Sequence, residues 1–118
     1  MKLINLTTRV ITIVDEEGDP RFTVQPSGMV ASADINSRVT ERIKHNDDHD
    51  VDIVEYEYSD VRGMPEPKPG VIYVVSYAVL QGLGGSRPDA VSPDTSPNSV
   101  VRAGAHEKVL GVKQLRRL

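Results

Sequence analysis

Apolar residues in this chain gather in short β-branched runs separated by turn chemistry, a pattern of strands rather than of long helices. The clearest run is Val10-Ile11-Thr12-Ile13-Val14, followed by Asp15-Glu16-Glu17-Gly18-Asp19-Pro20 and the alternating Phe22-Thr23-Val24. Glycine takes a positive φ cheaply and proline presets φ, so residues 9–25 are predicted to form a hairpin. After the turn at Pro26-Ser27-Gly28, residues 29–35 are predicted as a third strand. Residues 38–44 alternate weakly, residues 45–50 form a polar tip, and Val51, Ile53 and Val54 lead into Glu55-Tyr56-Glu57-Tyr58. There a period of two places the glutamates on one face and the tyrosines on the other. This region is read as a second hairpin, the alternative being a helix over 36–46 capped by Asn36 or Ser37.

Gly63-Met64-Pro65-Glu66-Pro67-Lys68-Pro69-Gly70 is a rigid, polyproline-like crossing, too short for an interdomain linker. Residues 71–76 then form an apolar run without proline or charge, the signature of a central strand. Val79, Leu80 and Leu83 have helical spacing, and Gly84-Gly85 supplies the stop, so a short helix is expected near 77–83. Residues 84–99, rich in Gly, Ser, Pro and Asp, read as a long loop. Residues 100–102 and 109–112 read as a closing hairpin with its tip at 103–108, and 113–118 as a basic tail. The expected fold is therefore mainly β, a β-rich α+β domain over 1–118: a compact antiparallel sheet, a small barrel or a sandwich, with one short helix.

Composition sharpens this picture in three ways. Apolar residues are 38% and aromatics 4% of the 118 residues, with no Trp and one Phe, so Val, Ile and Leu must build the core. A domain this size buries about two-thirds of its unfolded surface, and oligomerisation would add to its stability. A net charge of −3 argues against general nucleic-acid binding while leaving room for a local basic pocket. The absence of Cys removes disulfides, thiolate metal sites and cysteine nucleophiles, and suits a reducing compartment. No apolar run approaches the roughly 18 residues of a membrane span, and the expected location is the cytoplasm.

Candidate chemistry is sparse. His45 and His49 flank carboxylates, yet they sit on a hairpin tip and lack the glycine and terminal Glu of a calcium loop, so no metal and no cofactor is expected. Gly82-Leu83-Gly84-Gly85-Ser86-Arg87 has no Gly-Lys-Ser/Thr and follows a helix instead of opening one. It reads as a helix cap or, with Arg87, as a backbone nest for an anion. The region from Arg87 and Asp89 through Asp94 and Thr95 to Arg102 is the best site candidate. Its arginines offer planar forks to phosphate or carboxylate, and its aspartates orient them or accept sugar hydroxyls. An internal Arg–Asp bridge pinning the loop is the competing reading. No nucleophile–base constellation is present, and no enzyme activity is expected.

Several stretches, in order, resemble a family of small proteins from tailed phages and prophages. They are Asn5-Leu6-Thr7, Val10-Ile11-Thr12-Ile13, Pro26-Ser27-Gly28, Gly63-Met64-Pro65-Glu66-Pro67, Tyr73-Val74-Val75-Ser76, Arg87-Pro88-Asp89, Pro93-Asp94-Thr95 and Val109-Leu110-Gly111-Val112. Thr8-Arg9 replaces the Pro-His pair of that pattern, so no histidine role carries over. The resemblance implies a phage setting, within the infected bacterial host, and implies no activity. The function expected on these grounds is that of a phage accessory protein evading host defence by capturing a small anionic, nucleotide-type ligand without catalysis. Its expected ligand-binding residues are Asn5, Thr7, Ser76, Arg87, Asp89, Asp94, Thr95 and Arg102, with a homo-oligomer as the expected assembly. A protein–protein adaptor or virion accessory subunit is the alternative, and a carboxylate-dependent hydrolase the third reading.

Overall fold

The strand chemistry read above closes into a β-rich α+β fold in the computed structural model, which describes residues 1–102 and 109–118. The predicted tip at 103–108 lies outside the described residues. Eleven elements follow in order among those described: β1 (Lys2–Asn5), β2 (Ile11–Val14), β3 (Pro20–Val24), β4 (Ser32–Asn46), β5 (His49–Arg62), β6 (Val71–Val74), α1 (Tyr77–Leu83), β7 (Ala90–Pro93), β8 (Val100–Arg102), β9 (Val109–Val112) and β10 (Leu115–Arg116). They form one sheet in the order β1-β6-β7-β10, a second in the order β3-β2-β9-β8, and a separate two-stranded ribbon, β4-β5. No closed barrel is present among the described residues. None of their helices is long and apolar enough to cross a membrane.

The expected antiparallel arrangement gives way to a mixed one. β1 pairs with β6, β6 with β7, and β2 with β9, all parallel. Parallel neighbours need crossover connections, and here the ribbon stands between β1 and β6 in sequence while α1 links β6 to β7. The predicted central strand is indeed central. Alternation along it points Tyr73 and Val75 into one cluster with Leu6, Ala31, Val79, Leu80 and Ala90. Val74 points the other way, into a second cluster with Ile11, Ile13, Val91 and Val112. The first sheet is thus covered by α1 on one side and by the second sheet on the other.

Residues 84–99 are not one long loop. They contain β7, whose Ala90, Val91 and Ser92 are buried and which pairs with β6 and β10. Four residues ending in proline carry too little periodicity to show as a strand; burial on both faces makes it one. The helix obeys its local signals: the Ser76 hydroxyl accepts from the Val79 amide at 3.3 Å, and Gly84 ends α1 at φ 59°. Tyr73 donates its hydroxyl to the Glu66 carbonyl at 3.1 Å, which fastens the proline-rich crossing to β6.

The second hairpin is longer than predicted. Residues 29–35 and 38–44 are not separate stretches; β4 runs unbroken from Ser32 to Asn46 and turns at Asp47-Asp48 into β5. At its root Tyr58 meets Tyr77 of α1 edge-on at 6.0 Å. Gly82 lets the helix approach closely, since a Cβ there would stand 2.7 Å from Val61 Cγ2. Beyond the root the ribbon projects into solvent, and the molecule extends 57 × 37 × 21 Å. Its radius of gyration, 17.4 Å, exceeds the roughly 13–14 Å of a globule this long, so the body is compact and the whole is not.

Candidate functional site

The polar residues singled out from the sequence fall into three groups. Asn5 is buried and serves the connection after β1. Its Nδ2 donates to the carbonyls of Arg9 at 2.7 Å and Val24 at 3.0 Å, and its Oδ1 accepts from the Thr7 amide and hydroxyl at 2.9 and 2.7 Å. This residue shapes the loop and has no donor left over.

Arg87 and Asp89 form the internal bridge that competed with the ligand reading. Nε and Nη2 of Arg87 meet the two Asp89 oxygens at 2.9 and 2.8 Å, and Nη2 also donates to the Pro65 carbonyl at 2.8 Å. Both side chains are largely buried, at 19% and 16% exposure. The hydrogen bonds from Arg87 hold the Asp89 carboxyl below its ordinary range, and the Asp89 carboxylate in turn raises the Arg87 guanidinium. This fork ties the α1–β7 connection to the proline-rich crossing. Asp94 is similarly engaged: Gln114 Nε2 donates to it at 2.6 Å and the Ser96 amide at 2.9 Å, which lowers its carboxyl. Arg102, exposed at the end of β8, does not line the groove described next.

Thr7, Ser76 and Thr95 do come together. They line one groove of about 770 Å³, to which residues 7–12, 75–77, 92, 93, 95 and 111–112 contribute. Each side chain reaches it because a strand ends there: Thr7 follows β1, Ser76 follows β6 and Thr95 follows β7. Arg9 supplies the cation among the lining residues, Tyr77 the aromatic ring, and Ile11, Val75 and Val112 the apolar surface. Arg116 stacks on Tyr77, with its guanidinium carbon 4.5 Å from the ring centroid. Ser92 also lines the groove, is 1% exposed, and its hydroxyl has no hydrogen-bond partner among the described residues. A buried hydroxyl left this way costs about 1–3 kcal/mol.

Sequence reasoning missed Arg9, Tyr77 and Ser92. Arg9 stood beside Thr7 but was set aside with the altered Pro-His position, and Ser92 lay in the unrecognised β7. His49 at the ribbon tip behaves as turn chemistry, its Nδ1 lying 2.8 Å from Asn46 Oδ1, and His45 stands exposed in β4. Asp15, Glu17 and Asp19 gather their carboxylates in the β2–β3 turn, where Asp15 Oδ1 accepts from the amides of Glu17 and Asp19, both at 3.0 Å. Self-bonded turn geometry accounts for that cluster.

No protein-family model matches this chain, and neither does a curated protein or a solved structure.

Proposed function

We propose that this chain is a non-catalytic binding protein that captures a small anionic, nucleotide-type ligand in the groove between Thr7, Ser76 and Thr95. The observation that carries this reading is that these three residues, from three distant segments, line one groove together with Arg9 and with Ser92, whose buried hydroxyl has no partner among the described residues. A nucleotide matches such a lining. The apolar surface of Ile11, Val75 and Val112 suits a base, the Ser76 and Thr95 hydroxyls suit a sugar, Thr7 shapes the rim through its bond to Asn5, and Arg9 suits a phosphate. Arg87 and Asp89 play no direct part in capture, since their polar atoms already satisfy one another.

The lining residues include no carboxylate, and a carboxylate-dependent hydrolase needs one within hydrogen-bond reach of its substrate. This favours capture over the carboxylate-dependent hydrolase. The resemblance to tailed-phage proteins supports a role in removing a host nucleotide signal. The test is calorimetric titration and native mass spectrometry of the full chain with a panel of linear and cyclic nucleotides. A bound nucleotide, recovered unaltered, is the expected result, with Arg9→Ala weakening it about tenfold to a hundredfold through loss of a charge-assisted bond. Indifference to every nucleotide overturns capture; binding unaffected by both Arg9→Ala and Thr95→Val moves it to another surface. A hydrolysed product overturns the non-catalytic role.

A further inference from the structure

Four polar residues are buried among those described: Asn5, Ser92, Asp94 and Ser99. Three of them have hydrogen bonds made within the chain. Asn5 and Asp94 are engaged as described above, and Ser99 Oγ accepts from the amides of Lys113 at 3.2 Å and Gln114 at 3.3 Å. Ser92 alone of the four has a side-chain oxygen without a partner among the described residues, and Ser92 alone of the four lines the groove. A hydroxyl folded away from water and left unbonded is costly. A groove beside it gives that cost a use.

Strand alternation fixes the face on which the hydroxyl lies. Along β7, Ala90 packs with Tyr73 and Val75 in the cluster under α1, and Val91 packs with Val74 on the other side. Ser92, two residues after Ala90, returns to the α1 side. The parallel register that pairs Tyr73 with Ala90 and Val74 with Val91 brings Val75 beside Ser92, and Val75 lines the groove. On the other flank, β10 sets Arg116 directly opposite Ser92. Residues opposite one another in an antiparallel pair share a face. Arg116 therefore also lies on the α1 side, where its guanidinium rests on the Tyr77 ring. Tyr77 lines the groove and is 49% exposed. The neighbours of Ser92 on this face thus include a stack of two partly exposed side chains. A ligand can displace such a stack at the modest cost of an exposed cation–π contact.

We propose that Ser92 is the specificity-determining contact of the groove, its hydroxyl taking its missing partner from the polar edge of the ligand's base. This role rests on nucleotide capture in the groove and adds which part of the ligand is read. Val75, beside Ser92, belongs to the apolar surface that suits a base, so the base rather than the phosphate comes to the hydroxyl. A hydroxyl both donates and accepts, and at 1% exposure Ser92 is shielded from competing water. A base that offers a carbonyl, amino or ring-nitrogen group at that point completes the bond. A base that presents C–H there leaves the hydroxyl unpaired and is rejected. Arg9 acts differently. It meets a phosphate common to every nucleotide, and so adds affinity without choosing among bases.

The test is calorimetric titration of the full chain with the 5′-monophosphates and the 3′,5′-cyclic monophosphates of adenosine, guanosine, cytidine and uridine. Within a series, the natural chain should bind its preferred base at least about tenfold more tightly than the weakest. Ser92→Ala should shrink that preference to about threefold or less, whereas Arg9→Ala should weaken all members of a series alike and keep their order. In thermal unfolding without nucleotide, Ser92→Ala should melt no lower than the natural chain, because the hydroxyl it removes has no partner to lose. Base preference kept in Ser92→Ala, or equal affinity for all four bases in the natural chain, overturns the role of Ser92 while capture stands. A lower melting temperature for Ser92→Ala also overturns it, since the hydroxyl would then be bonded inside the unliganded protein. Failure of every nucleotide to bind overturns capture itself, and the reading by Ser92 with it.

Discussion

In the body, β6 is four residues long and buried on both faces, whereas β4 and β5 are 15 and 14 residues long and bury almost nothing beyond their roots. Both regions are strand, yet they are held by different means. The body depends on side chains that fill space, such as Leu6, Tyr73 and Val79, none more than 1% exposed. The ribbon, an arm beyond the body, depends on its own ladder and on exposed cross-strand ion pairs, such as Arg42–Asp52 at 2.7 Å. Removing an atom from the body leaves a hole; removing one from the arm leaves a place for water. Burial, not secondary structure, decides what a residue contributes.

The contrast can be broken or sharpened by substitution. Leu6→Ala should cost about 2–5 kcal/mol, because a fully buried leucine leaves a cavity that its neighbours only partly close. Urea denaturation measures it, and a loss below 1 kcal/mol would mean that the body relaxes as freely as the arm. Arg87→Ala should cost about 1–3 kcal/mol, since it strands the Asp89 carboxylate and the Pro65 carbonyl, and it should leave affinity for a nucleotide in the groove unchanged. A large loss of affinity with no loss of stability would return Arg87 to the ligand site.

Acid should distinguish the regions next. Asp89, held down by Arg87, and Asp94, held down by Gln114 and Ser96, have folded carboxyls below their ordinary range. For a depressed carboxyl the unfolded chain takes up the proton first, so its stabilisation is whole above about pH 4 and is lost as pH falls through the folded value. Asp34 and Asp52 of the arm are depressed in the same direction by Arg62 and Arg42, but they stand in water. The expected acid limb of the stability curve therefore flattens in Asp89→Asn and is unchanged in Asp52→Asn. The smallest effect should be that of Ile43→Ala, within about 0.5 kcal/mol where the arm stands in solvent. A larger loss would show that the arm packs against something within a single chain.

Hairpin 9–25, the Ser76 and Gly84 limits of α1 and the central strand at Val71 were legible because each rests on chemistry within a few residues. Candidate site residues were legible only as types. Arg87 and Asp89 were expected to bind ligand, with the internal bridge they actually form only the competing reading, and Thr7, Ser76 and Thr95 shared no local signal that would mark them as neighbours. Arg9 and Ser92 matter because of where strands from elsewhere end, and a propensity reading does not carry that distance.

What the chain determined by itself is the β-branched core, the turn at Asp15 to Pro20, the glycine stop after Leu83 and the alternation that gives the arm its apolar side chains. Tertiary structure alone decided that β1, β6 and β7 run parallel, that four residues at Ala90 form an inner strand, and that the register of the arm shifts at Thr40. The physical reason is range. A dihedral preference or a cap acts over one turn of chain, while strand order and register are settled by which distant apolar faces exclude water together.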